Sequence, residues 1–240
     1  MVFARLFLLV APLFLTGCLL APGAFDARMT VDPSGAFTFS YQGEAIIVPT
    51  DDDDEDESAG KERDEAGQDD FGRSMDSAMR ELNQTLMGGI DPRDEDSLRA
   101  FAARLEERRG WNSVEYQGEG VFMVDYAVSG RLDRDFLFPV LPDFLLLLPM
   151  FVASPLDDGT VRIEVPALMG PPGDNDDEGP TPESRGGGRF TLVTGADIVS
   201  ENSATGASVM DSGETELSWT SAEEREERPA AVLLLDRGSA

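Results

Sequence analysis

The chain contains a single cysteine, Cys18, and this limits how the fold can be held together. One thiol cannot close an internal disulfide, and the apolar fraction of 41% can support a core without one. Cys18 follows Leu15-Thr16-Gly17, at the end of an apolar run over residues 6–15 that Arg5 precedes. A positive residue, a short apolar run and small residues at its end form the layout of a secretory signal. The run is shorter than the about 20 residues that a transmembrane helix needs.

The Leu15-Thr16-Gly17-Cys18 motif is a lipobox and resembles the processing site of bacterial lipoproteins. The resemblance implies that residues 1–17 are removed as a signal peptide. It also implies that Cys18 carries a diacylglyceryl thioether and an N-acyl group such as palmitate, and two or more acyl chains anchor a protein stably. In such lipoproteins, a residue other than aspartate directly after the cysteine is an outer-membrane sorting signal. Leu19 holds that position here, which implies sorting to the outer membrane if the host has two membranes. An ordinary secretory signal and an uncleaved anchor are the alternatives.

The composition excludes several classes of function. The chain has 47 acidic and 19 basic residues, a formal charge of −28, and no histidine. A chain of that charge repels nucleic acid, so we expect no nucleic-acid partner. Without histidine it can build neither a Ser-His-Asp triad nor a zinc or haem site with the commonest ligand. We therefore expect no cofactor, no metal site and no catalytic residue of these classes.

Alternating apolar and polar residues predict many short strands. Strands over residues 29–31 and 36–41 flank the turn Asp32-Pro33-Ser34-Gly35, and a turn at Gln42-Gly43 leads to a third strand over 45–48. Two helices over 71–86 and 91–109 are predicted from helical spacing, and they should pack as an antiparallel hairpin. The remaining predicted strands cover residues 113–117, 121–129, 160–165, 190–193, 196–201, 215–219 and 231–235.

These elements predict an α+β fold, an antiparallel β-sheet packed with a helical hairpin. Residues 18–28 are expected to form a tether, and residues 29–240 a single periplasmic domain. Two stretches, about 51–70 and 170–188, are dominated by acids, proline and glycine. We expect both acidic inserts to be disordered, because they have little apolar surface to bury.

The most apolar internal stretch, residues 136–152, is the candidate contact region. Three alternatives are open for it: a transmembrane span, a loop at the membrane interface, and a buried strand or loop. Its three prolines and Asp143 argue against a span. The residues that we single out as contacts to an apolar ligand or to the membrane are Phe136, Phe138, Leu141, Phe144 and Leu147.

Carboxylate chemistry is the catalytic class that the composition leaves open. A glycosidase-type site needs two acids about 5–10 Å apart across a cleft. Asp125 lies in the middle of a predicted strand and is the acid to examine, with the solvent face of that strand as its alternative location. The acid-rich residues 51–57 and 174–179 depart from the pattern of a calcium-binding loop.

The chain resembles the LppM-like group of bacterial lipoproteins. The resemblance is carried by Cys18, by the hairpin at Val31-Asp32-Pro33-Ser34-Gly35, by a helical middle, and by residues 194–202 and Leu217-Ser218-Trp219 near the C-terminus. It implies an anchored envelope domain and supplies no catalytic residues.

The leading hypothesis is a non-enzymatic lipoprotein, held in the outer membrane through Cys18 and facing the periplasm. It would act in envelope organisation, or bind an apolar ligand or an envelope protein. A carboxylate-dependent hydrolase of envelope polymers is the alternative. Two buried acids in one cleft would favour the hydrolase, whereas an apolar pocket or patch at Phe138, Leu141 or Phe144 would favour binding.

Overall fold

The structure, a computed structural model, describes residues 19–48, 88–141, 149–169, 187–221 and 228–236. Within these ranges the chain forms twelve strands, one α-helix and one 3-10 helix. In chain order they are β1 (Leu19–Val31), β2 (Ala36–Val48), α1 (Glu95–Glu106), β3 (Trp111–Gly118), β4 (Val121–Arg131), β5 (Phe136–Phe138), β6 (Phe151–Pro155), β7 (Thr160–Glu164), the 3-10 helix (Pro166–Met169), β8 (Gly188–Thr194), β9 (Asp197–Glu201), β10 (Ser208–Val209), β11 (Thr215–Thr220) and β12 (Ala230–Leu234).

The strands form two sheets that pack against each other. The first has seven strands in the order β10-β11-β8-β1-β2-β4-β3, and the second has five in the order β5-β6-β7-β12-β9. β1 and β8 run parallel, and the other paired strands of the described chain run antiparallel. The chain crosses between the sheets several times, so neither sheet forms a unit of its own.

Aromatic side chains fill the space between the two sheets. The Phe39 ring of β2 lies 5.0 Å from that of Phe136 and 5.1 Å from that of Phe151, measured between centroids. The Phe138 ring of β5 lies 4.6 Å from the Tyr126 ring of β4. Pairs at these distances contribute about 0.5–1.5 kcal/mol each beyond the area that they bury.

The predicted α+β class, with a helical hairpin against one sheet, is wrong. The described chain is mostly strand, and the inner face of the first sheet is covered by the second sheet and, at Phe122 of β4, by α1. The error arose in the apolar stretch 136–152, where β5 and β6 show no clean alternation of apolar and polar residues. The predicted first helix, over 71–86, lies outside the described residues. So do the acidic insert at 51–70 and residues 170–186 of the other insert.

We predicted a tether over residues 18–28, but residues 19–28 are instead the first part of β1. Phe25 and Ala27 are buried against the second sheet, whereas Asp26 and Arg28 are exposed on the outer face. β1 pairs with β2 along its length, and from Phe25 onward it also pairs with β8. The chain therefore enters the sheet directly at Leu19.

The turn predicted at Gln42-Gly43 is also wrong, because β2 is continuous to Val48. Gly43 lies at a bulge, opposite a register shift in β1. It has a φ of +152° and a Cβ there would overlap the Ala24 carbonyl oxygen, so the glycine serves a close approach of two strands. The hairpin turn before β2 is confirmed, since the Gly35 N–H donates to the Asp32 carbonyl oxygen at 2.9 Å.

The second predicted helix exists but is shorter than expected. α1 begins after Asp94, whose carboxylate accepts from the Asp96 N–H as an N-cap, while Asp91-Pro92 belong to the preceding turn. The predicted apolar stripe is confirmed, and its buried members are Leu98, Phe101, Ala102 and Leu105. The Glu106 carboxylate accepts from the Val114 N–H at 2.9 Å, so α1 satisfies part of the free edge of β3.

Gly188, at the end of the predicted second insert, is the buried first residue of β8. A Cβ there would lie within 2.7 Å of three carbons of the Phe25 ring. That ring cannot easily move, because it packs at 5.4 Å against the Tyr41 ring and at 5.7 Å against the Phe151 ring.

We expect Gly188→Ala to lower the free energy of unfolding by about 1–3 kcal/mol, the usual cost of overpacking a core. Urea denaturation of the purified chain measures the change. The double variant with Phe25→Leu should lose less than the sum of the two single changes, because the smaller side chain leaves room for the methyl group. Full additivity, or a wild-type stability for Gly188→Ala, would contradict this packing.

Candidate functional site

The first sheet has two ends, and Cys18 adjoins one of them. β1 begins at Leu19, one peptide bond after Cys18, and Leu19 pairs with Val48 of β2. Cys18 itself lies outside the described residues. At about 3.3 Å per residue, the 13 residues of β1 reach about 40 Å. The turn that joins β1 to β2 is therefore about 40 Å from Leu19, the residue that follows Cys18 in the sequence.

A groove opens at this far end of the sheet, beside the last residues of β4 and the loop that leads to β5. Its volume is about 510 Å³, within the range of small-ligand sites. The side chains that line it are aromatic, cationic, acidic and small. They belong to Phe37, Arg109, Ser129, Gly130, Arg131, Asp133, Arg134, Asp135 and Phe136.

Two phenylalanine rings form the floor of the groove. The ring of Phe37, which is buried, lies 5.0 Å from that of Phe136, which is half-buried and also packs against Phe39. A Cβ on Gly130 would lie 3.0 Å from a carbon of the Phe37 ring. The glycine therefore allows the ring to lie across the backbone of β4, and the floor consists of apolar side chains.

Three guanidinium groups surround the floor. Arg131 donates to the Ser34 carbonyl oxygen at 2.6 Å and to the Ser34 hydroxyl at 3.3 Å, which ties β4 to the hairpin turn. Arg134 is 3.2 Å from its neighbour Asp133, but both side chains are largely exposed, and such pairs contribute little. Arg109 is exposed in the turn after α1. Arg109 and Arg134 can therefore turn toward a ligand.

The turn beneath Arg131 is held by a charged side chain. The Ser34 hydroxyl donates to the Asp32 carboxylate at 2.7 Å and is the main cause that lowers the pKa of that carboxyl. Desolvation by burial raises the pKa, and the smaller effects of the Ala36 N–H and Arg131 lower it again. Asp32 therefore stays ionised at neutral pH, and the wall of the groove keeps its shape. The stabilisation that this carboxylate provides falls away only as the pH drops through its lowered pKa.

A second groove of about 380 Å³ lies next to the first and shares Arg131 and Asp133 with it. It extends toward the second sheet, and its remaining lining residues are Ser34, Leu132, Pro155, Leu235 and Asp236. The loop between β4 and β5 thus separates two concave surfaces at the end of the molecule.

The predicted contact residues are distributed differently. Phe138 and Leu141 are buried, with 2% and 4% of their surface exposed, whereas Phe136 forms part of the groove floor. Phe144 and Leu147 lie outside the described residues. For residues 136–141 and 149–152 the structure corresponds to the alternative of a buried strand or loop.

Asp125 lies on the outer face of β4, the location that we gave as its alternative. Its carboxylate accepts from the Gln42 amide at 3.1 Å and from the Asn112 amide at 2.8 Å. Two amides thus hold it on the solvent side, away from both grooves. In the described part of the chain no three acidic or cysteine side chains converge as metal ligands. No helix there is long and apolar enough to cross a bilayer.

The arginines of the groove were not among the predicted site residues. The run Arg131-Leu132-Asp133-Arg134-Asp135, with charges of both signs between a strand and an apolar stretch, was the available signal. The sequence around Arg109 contains no such signal, because only the packing of α1 beside β3 brings this residue to the groove.

Comparison with known proteins returned no relatives: no family model matches the chain, and no curated protein is significantly similar to it. The resemblance to the LppM-like group therefore stays a prediction.

Phe138 and its neighbour Leu137 provide a test of how residues 136–141 are used. Phe138→Ala should lower the free energy of unfolding by about 3–5 kcal/mol, because it empties a site among five aromatic rings. Leu137→Ala, at a side chain that is 41% exposed, should change it by about 0.5 kcal/mol or less. Thermal or urea denaturation compares the two variants, and equal losses would contradict the assignment of Phe138 to the core.

Proposed function

We propose that this chain is a lipid-anchored lipoprotein of the cell envelope, and that its β-domain binds a partner protein rather than catalysing a reaction. The anchor would be the acylated Cys18, in the outer membrane and facing the periplasm. The observation that carries the proposal is the lipobox placed directly before β1. With no tether between them, an anchor at Cys18 would set one end of the sheet at the membrane and turn the grooves away from it.

A binding role is supported by the nature of the exposed site. The acids of the groove, Asp133 and Asp135, are exposed to water, whereas a general acid of a hydrolase needs burial to raise its pKa. Asp125, the acid that we examined for catalysis, already accepts from two amides. The described side chains thus favour binding over a carboxylate-dependent hydrolase.

A partner protein is favoured over an apolar small molecule. The cavity between α1 and Leu141 is lined by the apolar side chains of Ile90, Phe101 and Leu105 together with Arg104 and Arg108, but its volume is about 10 Å³. That is room for about one water molecule. The larger concave surfaces are open and carry charges of both signs, which suits a protein surface better than a hydrocarbon.

The anchor is tested by Cys18→Ser. We expect the wild-type chain, expressed in a bacterial host, to remain in the membrane pellet through salt and carbonate washes and to enter solution with detergent. The variant should lose this fractionation, because a hydroxyl cannot form the thioether that the lipobox implies.

Mass spectrometry of the wild-type N-terminus provides the direct readout. It should find residues 1–17 removed and a thioether-linked diacylglyceryl group that survives hydroxylamine, which cleaves thioesters. A wild-type chain with a bare thiol that washes off with buffer would rule the anchor out, whatever the domain binds.

A further inference from the structure

Among the residues that the structure describes, nothing pairs with one backbone edge of the last residues of β4. β3 pairs with β4 only as far as Tyr126, and the Ala127 N–H donates to the Gly110 carbonyl oxygen at 2.8 Å. β4 continues to Arg131. N–H groups alternate in side along an antiparallel strand, so those of Ser129 and Arg131 point the same way as that of Ala127. On that side of these two residues no strand of the described chain pairs with β4.

The opposite side of the same segment is fully used. β2 pairs with β4 up to Arg131, and the Leu132 N–H donates to the Gly35 carbonyl oxygen at 2.8 Å. The segment is therefore held firmly in extended form by one neighbour, while no described strand pairs with its other edge. Such an edge is a template for a further strand.

The free edge borders the groove at the far end of the sheet. Ser129, Gly130 and Arg131 line it together with the aromatic floor and the guanidinium groups of Arg109 and Arg134. Backbone donors, an apolar floor and cationic side chains thus face one space of about 510 Å³.

We propose that this groove binds an extended acidic segment of a partner protein, which adds as a short strand to the free edge of β4. Its backbone pairs with Ser129 and Arg131, as in other cases of strand addition. An apolar side chain of the segment lies on the Phe136 ring, and its carboxylates meet Arg109 and Arg134. This inference rests on the proposed function, because it names the kind of partner that the β-domain binds. The anchor at Cys18 matters here only for the orientation of the groove toward the aqueous space.

The guanidinium groups of Arg109, Arg131 and Arg134, which form the rim of the groove, indicate that the partner segment is acidic. Guanidinium groups bind carboxylates through paired hydrogen bonds, and three of them stand here in a chain with a net charge of −28. Asp133 and Asp135 line the same groove, so a dense polyanion would meet like charge. A peptide with separated acids and apolar residues between them fits both conditions.

A second copy of the chain is a poorer occupant. If two free edges paired with each other, the Arg109 and Arg134 groups of both copies would be brought together. Like charges at close range oppose association. The strand segment that the two copies share would also be short, since it would comprise only Ser129, Gly130 and Arg131 of β4.

The test uses the full-length chain in detergent and an array of decapeptides in which valine or phenylalanine alternates with aspartate or glutamate. We expect binding by fluorescence anisotropy to members of this array and none to the matched array in which lysine replaces the acids. Two N-methylated forms of a bound peptide are then compared, one methylated at the odd and one at the even backbone nitrogens. One of these two frames should not bind, because strand pairing needs the N–H groups on one side of the peptide.

Variants of the chain locate the site. Arg109→Gln and Arg134→Gln should each weaken binding about tenfold, the loss of one charge-assisted contact. Ser129→Pro removes an N–H from the open side only, a position where proline is tolerated, and should weaken binding about fivefold. Arg162→Gln, at an exposed arginine of β7, is the matched control and should bind like the wild type.

The proposal is overturned if no acidic peptide binds, if the N-methylated peptides bind equally well in both frames, or if Arg162→Gln weakens binding as much as Arg134→Gln. It is also overturned if a carboxylated oligosaccharide such as hexagalacturonate binds at these arginines and the peptides do not. Peptide binding in detergent does not depend on acylation, so a soluble chain that binds the peptides would refute the anchor alone.

Discussion

The packing of Phe138 between the two sheets is the contact on which the rest of the structure depends. Its ring lies within 6.1 Å of five other aromatic rings, four from the first sheet, including Trp111 at the start of β3, and one from β6. Each such contact is small, but their sum sets the distance and the angle at which the sheets meet. Because Phe136 lies two residues earlier on the same short strand, the same packing places its ring at the floor of the groove.

The position of the groove follows from the two long strands. β1 and β2 have 13 residues each and are paired almost throughout, with one bulge at Gly43. Such a hairpin inside a sheet has no hinge, so its two ends stay at a fixed distance from each other. The groove is therefore fixed relative to Leu19 by continuous backbone hydrogen bonding. A loop-based site would have lacked this constraint, whereas the edge of β4 is held in extended form by β2 before any partner arrives.

The sequence predicted several strands in which one face is buried and the other polar. β4, β7 and β11 follow that pattern, and glycine-containing turns mark their ends. The prediction failed at β5. Phe136 and Phe138 point inward, but Leu137 on the outer side is also apolar, so the sequence lacks the alternation of apolar and polar residues that indicates a strand. It failed at β1 for a different reason. Phe25, Asp26, Ala27 and Arg28 do alternate, but their nearness to the lipobox favoured a tether over a strand.

Which sheet a strand joins, and which side chains meet at an end of it, depends on long-range pairing that local pattern does not contain. The groove illustrates this limit, since Arg109 follows a helix while Arg134 precedes β5, and nothing in either segment refers to the other. Charge shows the same contrast between local and global properties. At physiological salt, charges are screened over about 8 Å, so the arginines of the rim act on a ligand almost independently of the net charge of −28. The about 40 Å length of β1 is several such distances. If Cys18 is anchored, an acidic partner at the groove would therefore be shielded from the anionic head groups that would otherwise repel it.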